Sequence, residues 1–201
     1  MHAHTSDSGS DELGRVVILR EGIKAVAVRA FQVNVLGLNA ILLAKQFGER
    51  ARGFGVISNE LRDFSKQLRD QMGGLTVTSC LLVGLATRQL KLRRHRALLQ
   101  QAAQNSLPHL MLVFADKQLA DQTRELEYEI AGAHNKMTEY VEAAYQSCLF
   151  GTVIARSAKI EAAHSGSGNP ALAVASEEFS QHVDYILPSL QALRRALETA
   201  V

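Results

Sequence analysis

From Val16 onward, apolar residues recur at alternating steps of three and four: Val16, Leu19, Ile23, Val26, Ala30, Val33, Gly37, Ala40, Ala44 and Phe47. A helix of 3.6 residues per turn brings these positions onto one face, so the pattern predicts a long helix whose seam needs a packed partner. The pattern stops at Gly48, and Gly48-Glu-Arg-Ala-Arg-Gly53 reads as a turn. A second stripe starts at Phe54 and continues through Ile57, Leu61, Phe64, Leu68, Leu75, Leu82, Leu85 and Leu92. Gln71, Thr78 and Gln89 interrupt its register, and Gly73-Gly74 is expected to weaken the helix. Two such helices joined by a tight turn make an antiparallel hairpin.

That helix is expected to end near Asn105, where Ser106-Leu-Pro108 offers an N-cap and an early proline for the next. A third helix runs from about Leu107 to Ala163, with Gly132 and Gly151 as places where it could break. Asn169 and Pro170 then open a last helix carrying Phe179, Val183, Ile186, Leu190, Leu193 and Leu197, which Pro188 is expected to kink or interrupt. The fold class is therefore all-α: a long antiparallel hairpin plus two further helices, in a four-helix-bundle or coiled-coil architecture. The linear division is a flexible leader over 1–11, the hairpin over 12–105, and a C-terminal helical pair over 106–201 packing on the hairpin. That pair supplies the missing half of a bundle within one chain, with dimerisation of the hairpin as the alternative.

Composition narrows the class. The chain has 201 residues, is 47% hydrophobic, and carries three prolines, no tryptophan and 5% aromatics, which disfavours a β-sandwich or barrel. A net charge of +2 gives no global field for nucleic acid or anionic lipid. No signal peptide is visible, and no stretch approaches the ~20 apolar residues that cross a bilayer, so the chain reads as cytoplasmic without membrane insertion. Cys80 and Cys148 match no metal or redox spacing and read as reduced core thiols.

The first arm has a feature that a simple seam does not need. Phe31, Val35, Leu38 and Leu42 form another apolar stripe, offset around the helix, with Asn34 and Asn39 beside it. The ordinary arrangement has the third and fourth helices covering this face. The alternative leaves it as an intermolecular contact surface at the hairpin tip.

The segments Phe31-Gln-Val-Asn-Val-Leu-Gly-Leu-Asn-Ala40 and Gly48-Glu-Arg-Ala-Arg-Gly-Phe-Gly-Val-Ile-Ser-Asn-Glu-Leu-Arg62 resemble the hairpin tip of bacterial chemoreceptors, the methyl-accepting chemotaxis proteins. The resemblance runs without a gap from Phe31 to Arg62. It implies an interaction surface: in such receptors the tip packs receptor dimers together and docks a coupling protein and the chemotaxis histidine kinase. By position, Phe31, Asn34, Val35, Leu38 and Asn39 fall on the receptor–receptor face, and Glu49, Arg52 and Val56 on or near the coupling-protein face. The partners implied are that kinase and coupling protein, with other chemoreceptors or a second copy of the chain.

Leu43 and Gln46 stand where the family usually carries Glu and Arg, which makes the surface greasier. Gly37 and Gly55 replace alanines and are each expected to loosen the helix by about 0.5–1 kcal/mol. Lys45 and Phe47 add bulk in the last turn before the bend. About thirty residues precede the motif, and the expectation is a tip without a receptor's upstream sensing machinery. Gln100-Gln-Ala-Ala-Gln104 is the nearest approach to an adaptation site and is a poor one.

Other signals carry less. His2 and His4 are an incidental pair, and His109, His134, His164 and His182 lack metal-ligand spacing. Arg88, Lys91, Arg93, Arg94, His95 and Arg96 spread around their helix with no interleaved aromatic, which suits solvent or an acidic protein better than nucleic acid. Gly53-Phe-Gly55 and the Gly/Ser stretch near Gly166 lack the strand-then-helix context of a phosphate loop. Glu125, Glu127 and Glu129 alternate on a helix and form no carboxylate dyad. The reading is no enzyme, no cofactor and no metal. The alternatives kept beside the chemotaxis reading are a helical-bundle sensor binding a small ligand and a degenerate helical scaffold.

Overall fold

The computed structural model describes residues 7–104, 110–164 and 170–198, with side chains over 18–103, 113–164 and 170–198. Four helices make up the described chain: α1 (Asp7–Phe47), α2 (Arg52–Gln104), α3 (Leu110–His164) and α4 (Pro170–Glu198). A short 3-10 turn, Gly48–Ala51, joins the first two. No strand occurs among the described residues. The expected caps at Ser106 and Asn169 lie outside the described residues.

Helix α1 starts at Asp7, inside the stretch expected to be a leader. A long packed helix has already overcome nucleation, so added N-terminal turns form at little cost. Helix α2 runs through Gly73-Gly74, α3 through Gly132 and Gly151, and α4 through Pro188. Pro188 is tolerated because it sits on the exposed face of α4, where the carbonyl left without a donor meets water, while Ile186 and Leu190 on either side are buried. Helix α1 stops where Gly48 adopts φ +66°, the left-handed conformation that glycine takes without a Cβ penalty.

The chain forms two compact units. One comprises the residues up to Thr76 together with those from Thr138; the other is Val77–Met137. In the first unit, α1, the start of α2, the end of α3 and α4 form a four-helix bundle within a single chain. The seam of α1 is buried from Leu19 to Ala44 and packs along α4. The α2 column buries Phe54, Leu61, Leu68, Met72 and Leu75, and α4 buries Leu172 through Leu197 at the predicted spacing.

Close helix approaches use missing side chains. A Cβ on Gly151 of α3 would fall 2.8 Å from the Phe64 ring of α2, and one on Gly22 of α1 would fall 2.7 Å from Leu193 of α4. Phe54 and Phe179 face each other across the bundle with ring centroids 6.5 Å apart. Lys159–Glu177 at 2.9 Å ties α3 to α4 on the outside. The second unit is a smaller helix pair, with a core of Leu85, Leu126 and Ala133 flanked by Leu82, Leu92 and Ile130.

Some sequence expectations need correction. Phe47 is 43% exposed, because it lies in the last turn of α1, where the seam runs out into the bend. The buried column of α2 includes Phe64 as expected but also takes in Ser58, Ser65 and Met72, while Ile57 is only half-buried. Serine is admitted there because its hydroxyl donates to a carbonyl in the preceding turn, as Ser58 does to Phe54 at 2.7 Å.

The two cysteines part company as well. Cys148 is buried and Cys80 is exposed, so only the first is a core thiol. Burial, with the Asp184 carboxylate adding to it, pushes the Cys148 thiol up to about 12. A maleimide or disulfide reagent at neutral pH is therefore expected to titrate one thiol, Cys80, in the folded chain and two after denaturation. Rapid loss of both native thiols would contradict the burial of Cys148.

Candidate functional site: an apolar face beside the hairpin turn

The four-helix arrangement decides which face of α1 is used internally. Helix α4 packs on the Leu19–Ala44 seam, and the offset stripe stays uncovered. Phe31 is 54% exposed and Leu42 58%, with Val35 and Leu38 exposed between them. The expectation that the third and fourth helices cover this face is thus corrected. A helix in an antiparallel bundle turns one sector inward, and these four residues fall on the opposite one. Asn39 is exposed beside them and Asn34 is half-buried. Leu43 is half-buried and Gln46 exposed, so the two positions that depart from the chemoreceptor pattern place no charge beside the stripe.

The turn is held by backbone geometry and leaves its polar residues to solvent. Glu49 and Arg52 are both exposed, with Arg52 Nη1 3.5 Å from Glu49 Oε2. An exposed pair of this kind contributes about 0–1 kcal/mol to folding, so both side chains remain available to a partner. Val56 is 59% exposed one turn further on. Gly53 leaves room for the Glu161 side chain of α3 beside the turn.

Gly37 has a packing role that its glycine-for-alanine departure did not suggest. A Cβ there would lie 2.7 Å from Cγ of Arg62 and 3.2 Å from the Ser58 carbonyl oxygen, so its absence lets α2 approach α1 below the apolar stripe. On the α4 side, Arg29 lies 4.4 Å over the Tyr185 ring. Burial, and then the positive charge of Arg29, hold His182 below the usual imidazole range, with Glu178 opposing. Exposed apolar residues also run along α3 at Leu149, Phe150, Val153 and Ile160. Sequence reasoning did not single these out, although Leu149, Val153 and Ile160 share one helix face by spacing alone.

All eight residues named from the sequence thus lie on α1 or beside the turn that ends it, seven of them exposed. They form two patches: the apolar stripe with its asparagines, and the polar turn with Val56. The arrangement can bind another helical surface. Among the described residues no group of three His, Cys, Asp or Glu side chains could hold a metal ion.

The hairpin thus presents an exposed apolar stripe beside a polar turn. The chain is similar over about a third of its length to methyl-accepting chemotaxis proteins. It is 34% identical over 64 residues to the methyl-accepting chemotaxis aspartate transducer of Klebsiella aerogenes, covering 32% of this chain and 11% of that protein. It is 37% identical over 65 residues to methyl-accepting chemotaxis protein TlpQ of Pseudomonas aeruginosa, covering 32% and 8%. Against methyl-accepting chemotaxis protein IV of Escherichia coli it is 35% identical over 60 residues, covering 30% and 10%. The chain thus spans about a tenth of the length of these curated relatives. No family model matches the chain. No solved structure matches it.

One helical stretch, within 18–103 and near the N-terminus, is long and apolar enough by length and composition to cross a membrane, with an 18-residue window of mean hydropathy 1.6. This corrects the expectation that no stretch approaches that threshold. Only 28% of the window is buried. A helix that is apolar on two faces, as α1 is, raises its mean hydropathy in this way.

Proposed function

We propose that this chain is a cytoplasmic, chemoreceptor-like signalling or adaptor protein that engages a chemotaxis-type histidine kinase and coupling protein through its hairpin tip. The observation that carries the reading is the uncovered Phe31–Leu42 stripe, next to an exposed Glu49–Arg52 turn, in a chain that matches chemotaxis proteins over about a third of its length. Phe31, Asn34, Val35, Leu38 and Asn39 pack against another chemoreceptor bundle or a second copy. Apolar knobs bind, and asparagines beside them fix register. Glu49, Arg52 and Val56 meet the coupling protein, with the charges steering encounter and the valine supplying contact area. The role is binding, without catalysis, cofactor or nucleic acid.

The test is a reconstituted phosphorylation assay with the same organism's chemotaxis kinase and coupling protein. Adding the chain is expected to change the rate of kinase autophosphorylation, and to do so only when coupling protein is present. An unchanged rate at saturating protein would contradict the reading. No methyl group is expected after incubation with a chemotaxis methyltransferase and S-adenosylmethionine, because Gln100–Gln104 is a poor acceptor. Intact-mass analysis checks this, and a gain of one or more methyl groups would reveal an adaptation site.

A second reading, binding of a small ligand, is supported by an open groove of about 560 Å³ in the Val77–Met137 unit, lined by His95, Leu98, Leu99, Ala115, Leu119 and two glutamines. It would take an apolar molecule with one polar end. Native mass spectrometry of the purified chain tests it: a bound small molecule, released on denaturation, would favour this reading.

A further inference from the structure

The two hairpins of the four-helix unit are built on one register. Moving 118 positions along the chain, the step from buried Ser58 to buried Ser176, carries buried positions of the first hairpin onto buried positions of the second. On α1, Val26, Ala30, Val33 and Ala40 land on Ala144, Cys148, Gly151 and Ala158 of α3, all buried. On α2, Leu61, Leu68 and Leu75 land on Phe179, Ile186 and Leu193 of α4, all buried. Contacts between helices follow the same step. Gly22 receives Leu193 where α1 meets α4, and Tyr140, the position matching Gly22, reaches Gly74 where α3 meets α2, one residue from the position matching Leu193. The second hairpin therefore matches the first in its buried register, with α3 in the place of α1 and α4 in the place of α2.

The same step carries the exposed stripe. Phe31, Val35 and Leu42 of α1 correspond to Leu149, Val153 and Ile160 of α3, and the latter two are 58% and 59% exposed. Resting on the reading of the α1 stripe as a contact surface, we propose that α3 carries a second contact face, Leu149–Val153–Ile160, and that its occupant is the Phe31–Val35–Leu42 face of another copy of this chain.

Charge selects that pairing over the two symmetric ones. The step that aligns the stripes also aligns exposed Lys24 on α1 with Glu142 on α3. An α1–α3 contact in parallel register sets ammonium against carboxylate, whereas α1–α1 sets lysine against lysine and α3–α3 sets glutamate against glutamate. Glu142 already accepts from Gln146 at 2.9 Å and lies 3.7 Å from Arg194, and a carboxylate retains capacity for a further donor. A single-helix stripe of this length is at the small end of specific interfaces, so association belongs in the micromolar range. The contact is head-to-tail, so wild-type protein grows beyond a dimer or closes into a ring.

Sedimentation velocity across a concentration series tests this with Phe31→Glu, Val153→Glu and Ile160→Glu, each confirmed folded by its melting curve. Wild type is expected to self-associate beyond a dimer. Each variant is expected to weaken association roughly tenfold or more. An equimolar mixture of Phe31→Glu with Val153→Glu is expected to restore association but stop at a heterodimer, because each partner supplies the face that the other lacks. Wild type that stays monomeric would overturn the proposal, as would Val153→Glu and Ile160→Glu that assemble like wild type, or a mixture that fails to complement. Coupling-protein binding at the turn, measured on the same samples, reports separately on the functional reading.

Discussion

Phe54→Ala is expected to destabilise the folded chain by about 3–5 kcal/mol. The side chain is fully buried in the first turns of α2, and its ring meets Phe179 of α4 at 6.5 Å with planes inclined by 33°. Truncation loses the transfer free energy of the ring and leaves a cavity that rigid, interlocked helices fill poorly. The ring–ring contact adds to the loss. Urea unfolding followed by far-UV circular dichroism measures the effect, with an unchanged slope as the sign that only stability has moved. A loss below about 1 kcal/mol would mean that α2 and α4 do not share this core.

Much of this architecture is legible in the sequence, and the reason is periodicity. The seam from Leu19 to Ala44, the Gly48 turn, and the α4 column from Phe179 to Leu197 each follow from three–four spacing and from where glycine interrupts it. Spacing was less informative where chemistry and geometry combine. Ser58 and Ser176 count as polar in a pattern, yet they sit in the core with their hydroxyls turned back onto their own helices. Pro188 reads as a break, yet on a solvent-facing position the helix passes through it.

The candidate site divides in the same way. That Phe31, Val35, Leu38 and Leu42 form a second stripe is a fact of spacing. Whether another helix covers them depends on which sector of α1 the bundle uses, and a heptad pattern records that a partner exists without saying where it lies. The α3 counterpart is harder to read, because Arg156 stands where Leu38 would repeat and breaks the run of apolar residues.

Arg52→Glu and Val56→Asp are expected to weaken coupling-protein binding by about 2–5 kcal/mol while changing folding by no more than ~0.5 kcal/mol. Both side chains are exposed, and Arg52 makes a loose contact with Glu49 in the turn, so neither substitution disturbs the seam. At an interface the same changes are severe, because a reversed charge or a carboxylate placed among apolar contacts is desolvated without a partner. Melting temperature is the folding control, and a parallel drop in melting temperature and binding would assign the effect to unfolding. Binding that survives both substitutions would move the coupling-protein contact away from the turn, with the Phe31–Leu42 face as the next place to look.

Whether this hairpin tip meets the chemotaxis coupling protein is read by calorimetric titration of the wild-type chain into that protein from the same organism. Saturable one-to-one binding is expected, weakened by Arg52→Glu with the melting temperature unchanged. A titration with no heat of binding, in either direction and at more than one temperature, would contradict it.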